Sequence, residues 1–514
     1  MTNMTQTDKK ANILDFFEQT EKRYRYRTAV TDQSAQVTWS ELLDKARRIG
    51  SALSRIIPPG QPVPVMMEKS SGTLAAMLGA VYAGCFYVPV NPDNPPERLK
   101  KIFQILESSV IIADQEGWDF LNSQEIRADR ECRILLADRL QEEEIRMERL
   151  DELRAAARET DILYALFTSG STGTPKAVAV SHGAVIRFIT HFTEIFKITS
   201  EDVIGNQAPF DFDVSVKDIY SSLMTGAELV LIPKEYFSTP PRLLDYLCDR
   251  KVTTLTWAVS ALTLISSLKG LKYRVPEHVN KIMFSGEAMP PKQLRMWQEA
   301  MPHVKFVNLY GPTEITCNCT YYPITREYGD EEKIPIGNAF PGRKVFLIDE
   351  EEHEIAASGR RGEICVAGES LARGYYRNKD QTAKQFVMYP VGGGKPQRIY
   401  RTGDMGYYDR EGKLIFAGRK DFQIKHMGHR IELEEIESAM NAVDDVQRSC
   451  CVFQEEKNRI LGFYTGGVES SEVRRKLKEK LPVYMIPPKL IRLDDMPINK
   501  NGKTDRNYLR KEYL

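Results

Sequence analysis

Cysteine is scarce in this chain, and so is any imbalance of charge. Eight cysteines are spread over 514 residues, and Cys317-Asn318-Cys319 and Cys450-Cys451 stand too close together for metal-finger geometry. No second Cys or His pair of suitable spacing accompanies them, so free thiols in a reducing cytoplasm are expected. Lys plus Arg and Asp plus Glu both total 71, which leaves no whole-chain field favouring nucleic acid or an anionic membrane. Met1 to Lys10 carry no apolar signal core, so export is not expected. Internal repeats are absent, and Gly392-Gly393-Gly394, the one low-complexity patch, reads as a loop tip.

One stretch, Ser70 to Asn91, has no charge and is long enough to raise the question of a membrane span. Its interior argues for a buried helix over Thr73 to Ala83, ended by Gly84 and followed by a strand at Phe86 to Val90. Membrane insertion is not expected.

A chain of this length exceeds what one hydrophobic core usually serves, so two or more domains are expected. Strand-like runs at Ala227 to Ile232, Lys281 to Phe284 and Val304 to Leu309 alternate with amphipathic segments at Pro241 to Asp249 and Pro291 to Ala300. That alternation predicts an α/β fold with βα units and largely parallel sheets. Short strands at Arg343 to Asp349, Gly362 to Ala367 and Lys413 to Ala417 predict a smaller β-rich subdomain over about residues 335–420. The expected division is a large N-terminal domain over residues 1–420 and a small α+β domain over 421–514. The charged stretch Gln141 to Thr160 reads as a solvated helix.

The apolar run Ile162 to Phe167 leads into Thr168-Ser169-Gly170-Ser171-Thr172-Gly173-Thr174-Pro175-Lys176. Two glycines let several backbone N–H groups face one side, and the hydroxyls add donors, so the loop suits a polyphosphate. It is not a Walker A loop: Gly170 and Gly173 are only three apart, and Pro175 precedes the lysine. A flexible surface loop is the alternative for such a run. Further polar motifs follow in order: Asn308-Leu309-Tyr310-Gly311-Pro312-Thr313-Glu314 after a strand, then Tyr400-Arg401-Thr402-Gly403-Asp404, Gly418-Arg419-Lys420-Asp421 and Asn501-Gly502-Lys503-Thr504-Asp505-Arg506. Taken singly, each also reads as a turn or an exposed hairpin.

Together these motifs resemble the adenylate-forming superfamily of acyl-CoA synthetases, luciferases and the adenylation domains of nonribosomal peptide synthetases. The resemblance runs from Val37-Thr38-Trp39-Ser40-Glu41-Leu42 to Lys503. Tyr82 to Val90, Leu371-Ala372-Arg373-Gly374-Tyr375, Gly428 to Glu437 and Leu481 to Pro487 place it nearest the amino-acid-activating branch. Two departures, Ala177 and Glu434 where relatives usually or often carry glycine, remove no side chain that the chemistry needs.

The resemblance implies an ATP-dependent ligase with two half-reactions. An amino-acid carboxylate attacks the α-phosphorus of ATP, releasing pyrophosphate; a thiol then takes the aminoacyl group and releases AMP. It assigns Thr168, Ser169, Gly170, Ser171, Thr172, Gly173 and Lys176 to the β and γ phosphates, and Glu314 to Mg²⁺. Asp404, with Arg419, would hold the ribose end; Asn308 and Tyr310 would border the adenine, with Gly286, Glu287 and Ala288 on its other side and Gly311 and Thr313 nearby. Lys503 is the implied catalytic lysine, bridging the substrate carboxylate and the α-phosphate. Asp421 aligns with the hinge of a mobile C-terminal domain, and Gly428 with the lining of a pantetheine tunnel.

Asp213 aligns with the aspartate that pairs with the α-ammonium of an amino-acid substrate. Phe212, Val214, Lys217, Trp257, Met283, Ser285, Leu309, Cys317 and Asn318 align with the rest of the pocket, Trp257 to within one residue. Met283, Ser285 and Leu309 resemble pockets for serine or cysteine, whereas Lys217 either attracts an acidic or carbonyl-bearing side chain or snorkels to solvent. The Phe212 to Tyr220 and Asp421 to Lys425 segments also resemble D-alanine:carrier-protein ligases of cell-wall modification, the first alternative. A non-catalytic nucleotide-binding protein on this fold is the second, although such a protein would be expected to lose Lys503 or Glu314. The sequence ends at Leu514 and has no His-His-x-x-x-Asp motif, so the expected acceptor is phosphopantetheine on a separate carrier protein, free coenzyme A being the other possibility. A cytoplasmic monomer that binds no nucleic acid is expected.

Overall fold

The computed structural model describes residues 12–126, 131–170, 174–498 and 504–514. Two large sheets form its main body. The nine-stranded sheet runs, edge to edge, through Asn338–Ala339, Thr320–Pro323, Lys305–Tyr310, Lys281–Ser285, Thr254–Ala258, Val203–Asn206, Glu228–Leu231, Thr28–Thr31 and Gln36–Thr38. Its interior pairs are parallel and its edge pairs antiparallel. The seven-stranded sheet runs through Gly374–Tyr375, Lys176–Ser181, Ile162–Thr168, Phe86–Pro89, Pro62–Met66, Val110–Ala113 and Arg133–Leu136; its first two pairs are antiparallel and the rest parallel. The largest buried cluster draws on both sheets and on the helices Trp39–Leu53, Ser71–Tyr82, His182–Phe196 and Val214–Thr225.

The uncharged stretch is a core helix, Ser71–Tyr82, followed by the strand Phe86–Pro89. Ser70 starts the helix by accepting the Thr73 N–H, and all of its residues except Gly72 are buried. It lies close against Trp39–Leu53, which begins with a capping box between Thr38 and Glu41. Gly79 permits that approach, because a Cβ there would stand 2.5 Å from Ile49 Cγ2. Among the described residues no helix is long and apolar enough to cross a membrane.

The charged stretch forms a helix only over Met147–Ala156. Leu150 and Leu153 are buried, so the segment packs one face on the body and is not wholly solvated.

A six-stranded antiparallel sheet follows, from Arg343–Ile348 to Leu414–Arg419. Beyond it come the hairpin Gln423–His426 and His429–Glu432, then the sheet of Val446–Gln454, Arg459–Gly466 and Lys489–Arg492. The helices Leu433–Asn441, Ser470–Lys480 and Arg506–Tyr513 accompany these strands, and two hydrophobic clusters belong to this region alone.

Candidate active site

A cleft opens where the parallel strands end, the usual place for ligands in an α/β sheet. Thr168 and Ser169, Asp211 to Val214, Ser285 and Gly286, Gly311 to Thr313, Asp404 and the hairpin residues Lys425 and Gly428 to Arg430 all line it. The sequence distances between these segments are large; the sheet topology brings them together.

After the strand Ile162–Thr168, Gly170 is required, because a Cβ there would collide with the Thr174 carbonyl. Its neighbour Ser169 is engaged by the hairpin: its hydroxyl donates to the Arg430 carbonyl at 2.7 Å and accepts the Glu432 N–H at 3.2 Å. The Lys176 ammonium stands 4.0 Å from the Glu432 carboxylate. Burial lowers the Lys176 pKa and raises that of Glu432. Ser171, Thr172, Gly173 and Lys503 lie outside the described residues.

Glu314 sits in a short turn after the strand Lys305–Tyr310 and is 1% exposed. Its carboxylate accepts from Arg430 Nη1 at 3.0 Å and 2.8 Å and from the Tyr375 hydroxyl at 2.8 Å. Burial pushes its pKa up, but the Arg430 charge together with the hydrogen bonds the carboxylate accepts, Tyr375's among them, holds it below the ordinary carboxylate value. Asp404 accepts from Tyr310 Oη at 2.5 Å and pairs with Arg419, which also holds Asp421 through Nε at 2.6 Å. Lys425 lies 5.7 Å over the Tyr310 ring. Asn308 donates to the Pro335 carbonyl at 2.8 Å, and Glu287 accepts the Gly428 N–H at 2.8 Å.

Asp213 immediately precedes the helix Val214–Thr225 and faces the cleft, with Lys217 one turn further along the same side. Desolvation raises the Asp213 pKa against the opposing pull of Lys217 and Thr313. Its carbonyl accepts the Cys317 thiol at 3.0 Å. Phe212 meets the His429 ring edge-on at 4.5 Å, and that imidazole stacks on Tyr484 at 3.4 Å. Burial lowers the His429 pKa to about 3.

Lys217 does not snorkel: it is 1% exposed and donates to Asn318 Oδ1 at 2.8 Å. Val214, Ser285, Cys317 and Asn318 line the cleft with it. Three other aligned residues, Trp257, Met283 and Leu309, are packed in hydrophobic clusters and are not among the cleft lining. The reason at Trp257 is strand alternation. Its indole donates to the Gly205 carbonyl at 2.8 Å inside the second core, while the preceding Thr256 bonds Asp218, on the helix that carries Lys217.

The AMP-binding enzyme family model matches residues 17–376, and the model of that family's C-terminal domain matches residues 435–503. The chain belongs to the AMP-binding enzyme family. Bacitracin synthase 1 of Bacillus licheniformis is 31% identical over 515 residues, covering 99% of this chain and 10% of the relative. Surfactin synthase subunit 1 of Bacillus subtilis is 31% identical over 98% of this chain and 14% of its own length. The chain thus spans about a tenth to a seventh of the length of these relatives. Holo-PA1221, described as an NRPS protein containing adenylation and PCP domains, is 25% identical with a TM-score of 0.81, over 98% of this chain and 85% of that one. The Vibrio cholerae adenylation domain AlmE, solved with glycyl-adenosine-5'-phosphate, shares the fold at a TM-score of 0.86, 23% identity and 100% and 99% coverage.

Several residues of this AMP-binding enzyme's cleft carry no assignment from the sequence: Arg98, Lys425, Arg430 and Tyr484. Arg430 lies inside a motif already singled out, so its place near Gly428 was a usable signal. Arg98 gave none, being one of several polar residues on the helix Pro96–Leu106. It pairs with Glu435 at 2.6 Å, both side chains being buried.

Proposed function

We propose that the chain activates an α-amino acid as its aminoacyl-adenylate at the expense of ATP, then passes it to the phosphopantetheine thiol of a separate carrier protein. The observation that carries this reading is the convergence of Thr168, Ser169, Asp213 and Asp404 on one cleft. Asp213 supplies a carboxylate for the α-ammonium, and Asp404 one for the ribose hydroxyls. A carboxylate oxygen of the amino acid attacks the α-phosphorus, the bond to the leaving pyrophosphate breaks, and Lys503 bridges the two anions. The thiol sulfur, as thiolate, then attacks the acyl carbon, and the C–O bond to AMP breaks.

Glu314 suits Mg²⁺ by chemistry, since a buried carboxylate is the oxygen ligand that this hard cation prefers. Bound there, the ion would spread the charge that develops on the leaving pyrophosphate. The guanidinium of Arg430 engages the same two oxygens. Arg430 and the metal are therefore alternative partners of Glu314. Ser169 and Lys176, the loop's candidate phosphate ligands, are likewise engaged by the hairpin. This arrangement supports reading the docked hairpin, with Gly428 against Glu287, as the form that performs thioester transfer after pyrophosphate has left. Asp421 is the hinge in this reading.

Amino-acid-dependent pyrophosphate exchange, run across a panel that includes D-alanine, tests the first step. Exchange with at least one amino acid is expected; none with any would exclude it. Aminoacylation of a holo carrier protein, compared with free coenzyme A, tests the second, and a preference for coenzyme A would exclude the carrier.

A further inference from the structure

Lys217 presents a charge problem inside the cleft. Its ammonium has three protons, and among the described residues only Asn318 Oδ1 accepts one, at 2.8 Å. No carboxylate of a described residue forms a direct ion pair with it, although the residue is 1% exposed. A buried cation without a close counter-ion is costly.

Two carboxylates act on it from longer range, and both have other duties. Asp218 accepts from Asn206 Nδ2 at 2.9 Å and from the Thr256 hydroxyl, and it shares its field with Lys69. Lys69 is held in turn by Asn206 and Gln207 oxygens at 3.2 Å to 3.3 Å. Asp213 feels Lys217 more than any other cation. In the activation reading, on which this inference rests, Asp213 receives the substrate α-ammonium. One carboxylate then answers two cations, and Lys217 is left in surplus.

We propose that the amino acid selected by this cleft carries a second carboxylate in its side chain, received by Lys217 Nζ beside Asn318. The side chain restores local neutrality, with one anion added for the ammonium that enters. Asn318 fits the same ligand, since Lys217 occupies its Oδ1 and leaves the Nδ2 donors for a carboxylate oxygen. Ser285, also on the cleft wall, offers a hydroxyl. The corresponding amides are nearly isosteric but neutral, and would leave the Lys217 charge uncompensated.

The test is a pyrophosphate-exchange panel on the wild-type enzyme with L-aspartate, L-glutamate, L-asparagine, L-glutamine, L-serine, L-cysteine and D-alanine. One of the two acidic amino acids should be preferred over its own amide by about 30-fold or more in kcat/KM. Lys217→Met should remove that preference by raising KM for the acidic substrate, with the amide and other neutral substrates gaining relative to it. Preference for any neutral amino acid, or an undiminished acidic preference in Lys217→Met, would overturn the inference and leave amino-acid activation standing. Absence of exchange with every amino acid would overturn activation itself, and this inference with it. The wild-type panel decides the matter even if the variant does not fold.

Discussion

Arg430 grips both carboxylate oxygens of Glu314, at 3.0 Å and 2.8 Å, across 116 residues of sequence. Truncating one partner of a buried pair typically costs about 3–5 kcal/mol. Arg430→Ala should therefore move the hairpin at residues 423–432 out of the cleft, shifting the docked population by roughly a hundredfold or more. Hydrogen exchange reads this directly: the hairpin amides should lose protection while the strand Lys305–Tyr310 keeps its own. Unchanged hairpin protection would exclude Arg430 as its anchor.

Lys503 tests the first half-reaction. Removing one preorganised electrostatic contact commonly costs about 10²–10³-fold in rate. Lys503→Ala should abolish amino-acid-dependent pyrophosphate exchange with little change in melting temperature. Near-normal exchange would refute its assignment.

Asp421 stands between the strand Leu414–Arg419 and the hairpin, where it pairs with Arg419 and accepts the Gln423 N–H at 3.2 Å. Proline at this position fixes φ, which a hinge must vary. Asp421→Pro should slow thioester formation about tenfold more than it slows adenylation, by single-turnover assays of each step. Asp421→Ala, which loses the carboxylate but keeps a free φ, should not separate the two steps; equal losses in the proline variant would remove the hinge role.

His182 makes a prediction about stability. Buried at the start of its helix, it accepts the Ile13 N–H through Nδ1 at 3.3 Å, and burial lowers its pKa from 6.5 to about 4. Between those values the unfolded chain binds the extra proton and the folded one does not. The contribution is fully present above the unfolded value and is lost as pH falls through the folded one. Going from about pH 7 to about pH 5 should remove about 2 kcal/mol of unfolding free energy that is attributable to this group. His182→Asn keeps an acceptor and should lose correspondingly less over the same range in urea titrations. An identical decline in both proteins would show that His182 does not contribute.

Much of the fold was legible because its signals are local. The helix Pro291–Ala300 coincides with the amphipathic run read from sequence, and the uncharged stretch could only be interior. The charged segment was read too long because charge density overshadowed Leu150 and Leu153, the two residues that dock it. In the site, the motifs pointed to Thr168, Ser169 and Asp404, which line one cleft, each at the end of a strand, just after one or within one. The pocket wall was harder, because one residue of register reverses which side chain faces the substrate; Thr256 and Trp257 illustrate this. Arg98 was out of reach altogether, since its partner Glu435 lies 337 residues away.

Arg98 and Glu435 have a counterpart in Glu314 and Arg430, with the signs exchanged: the body supplies an arginine to one buried pair and a glutamate to the other. Were the two surfaces to part, as the hinge reading proposes, each would keep one positive and one negative group from these contacts. Neither acquires net charge from breaking them, so the long-range field that would pull the surfaces straight back together, or hold off an arriving anionic ligand, largely cancels. In the proposed hinge motion, the C-terminal region would exchange one docked position for another without an electrostatic debt on either face.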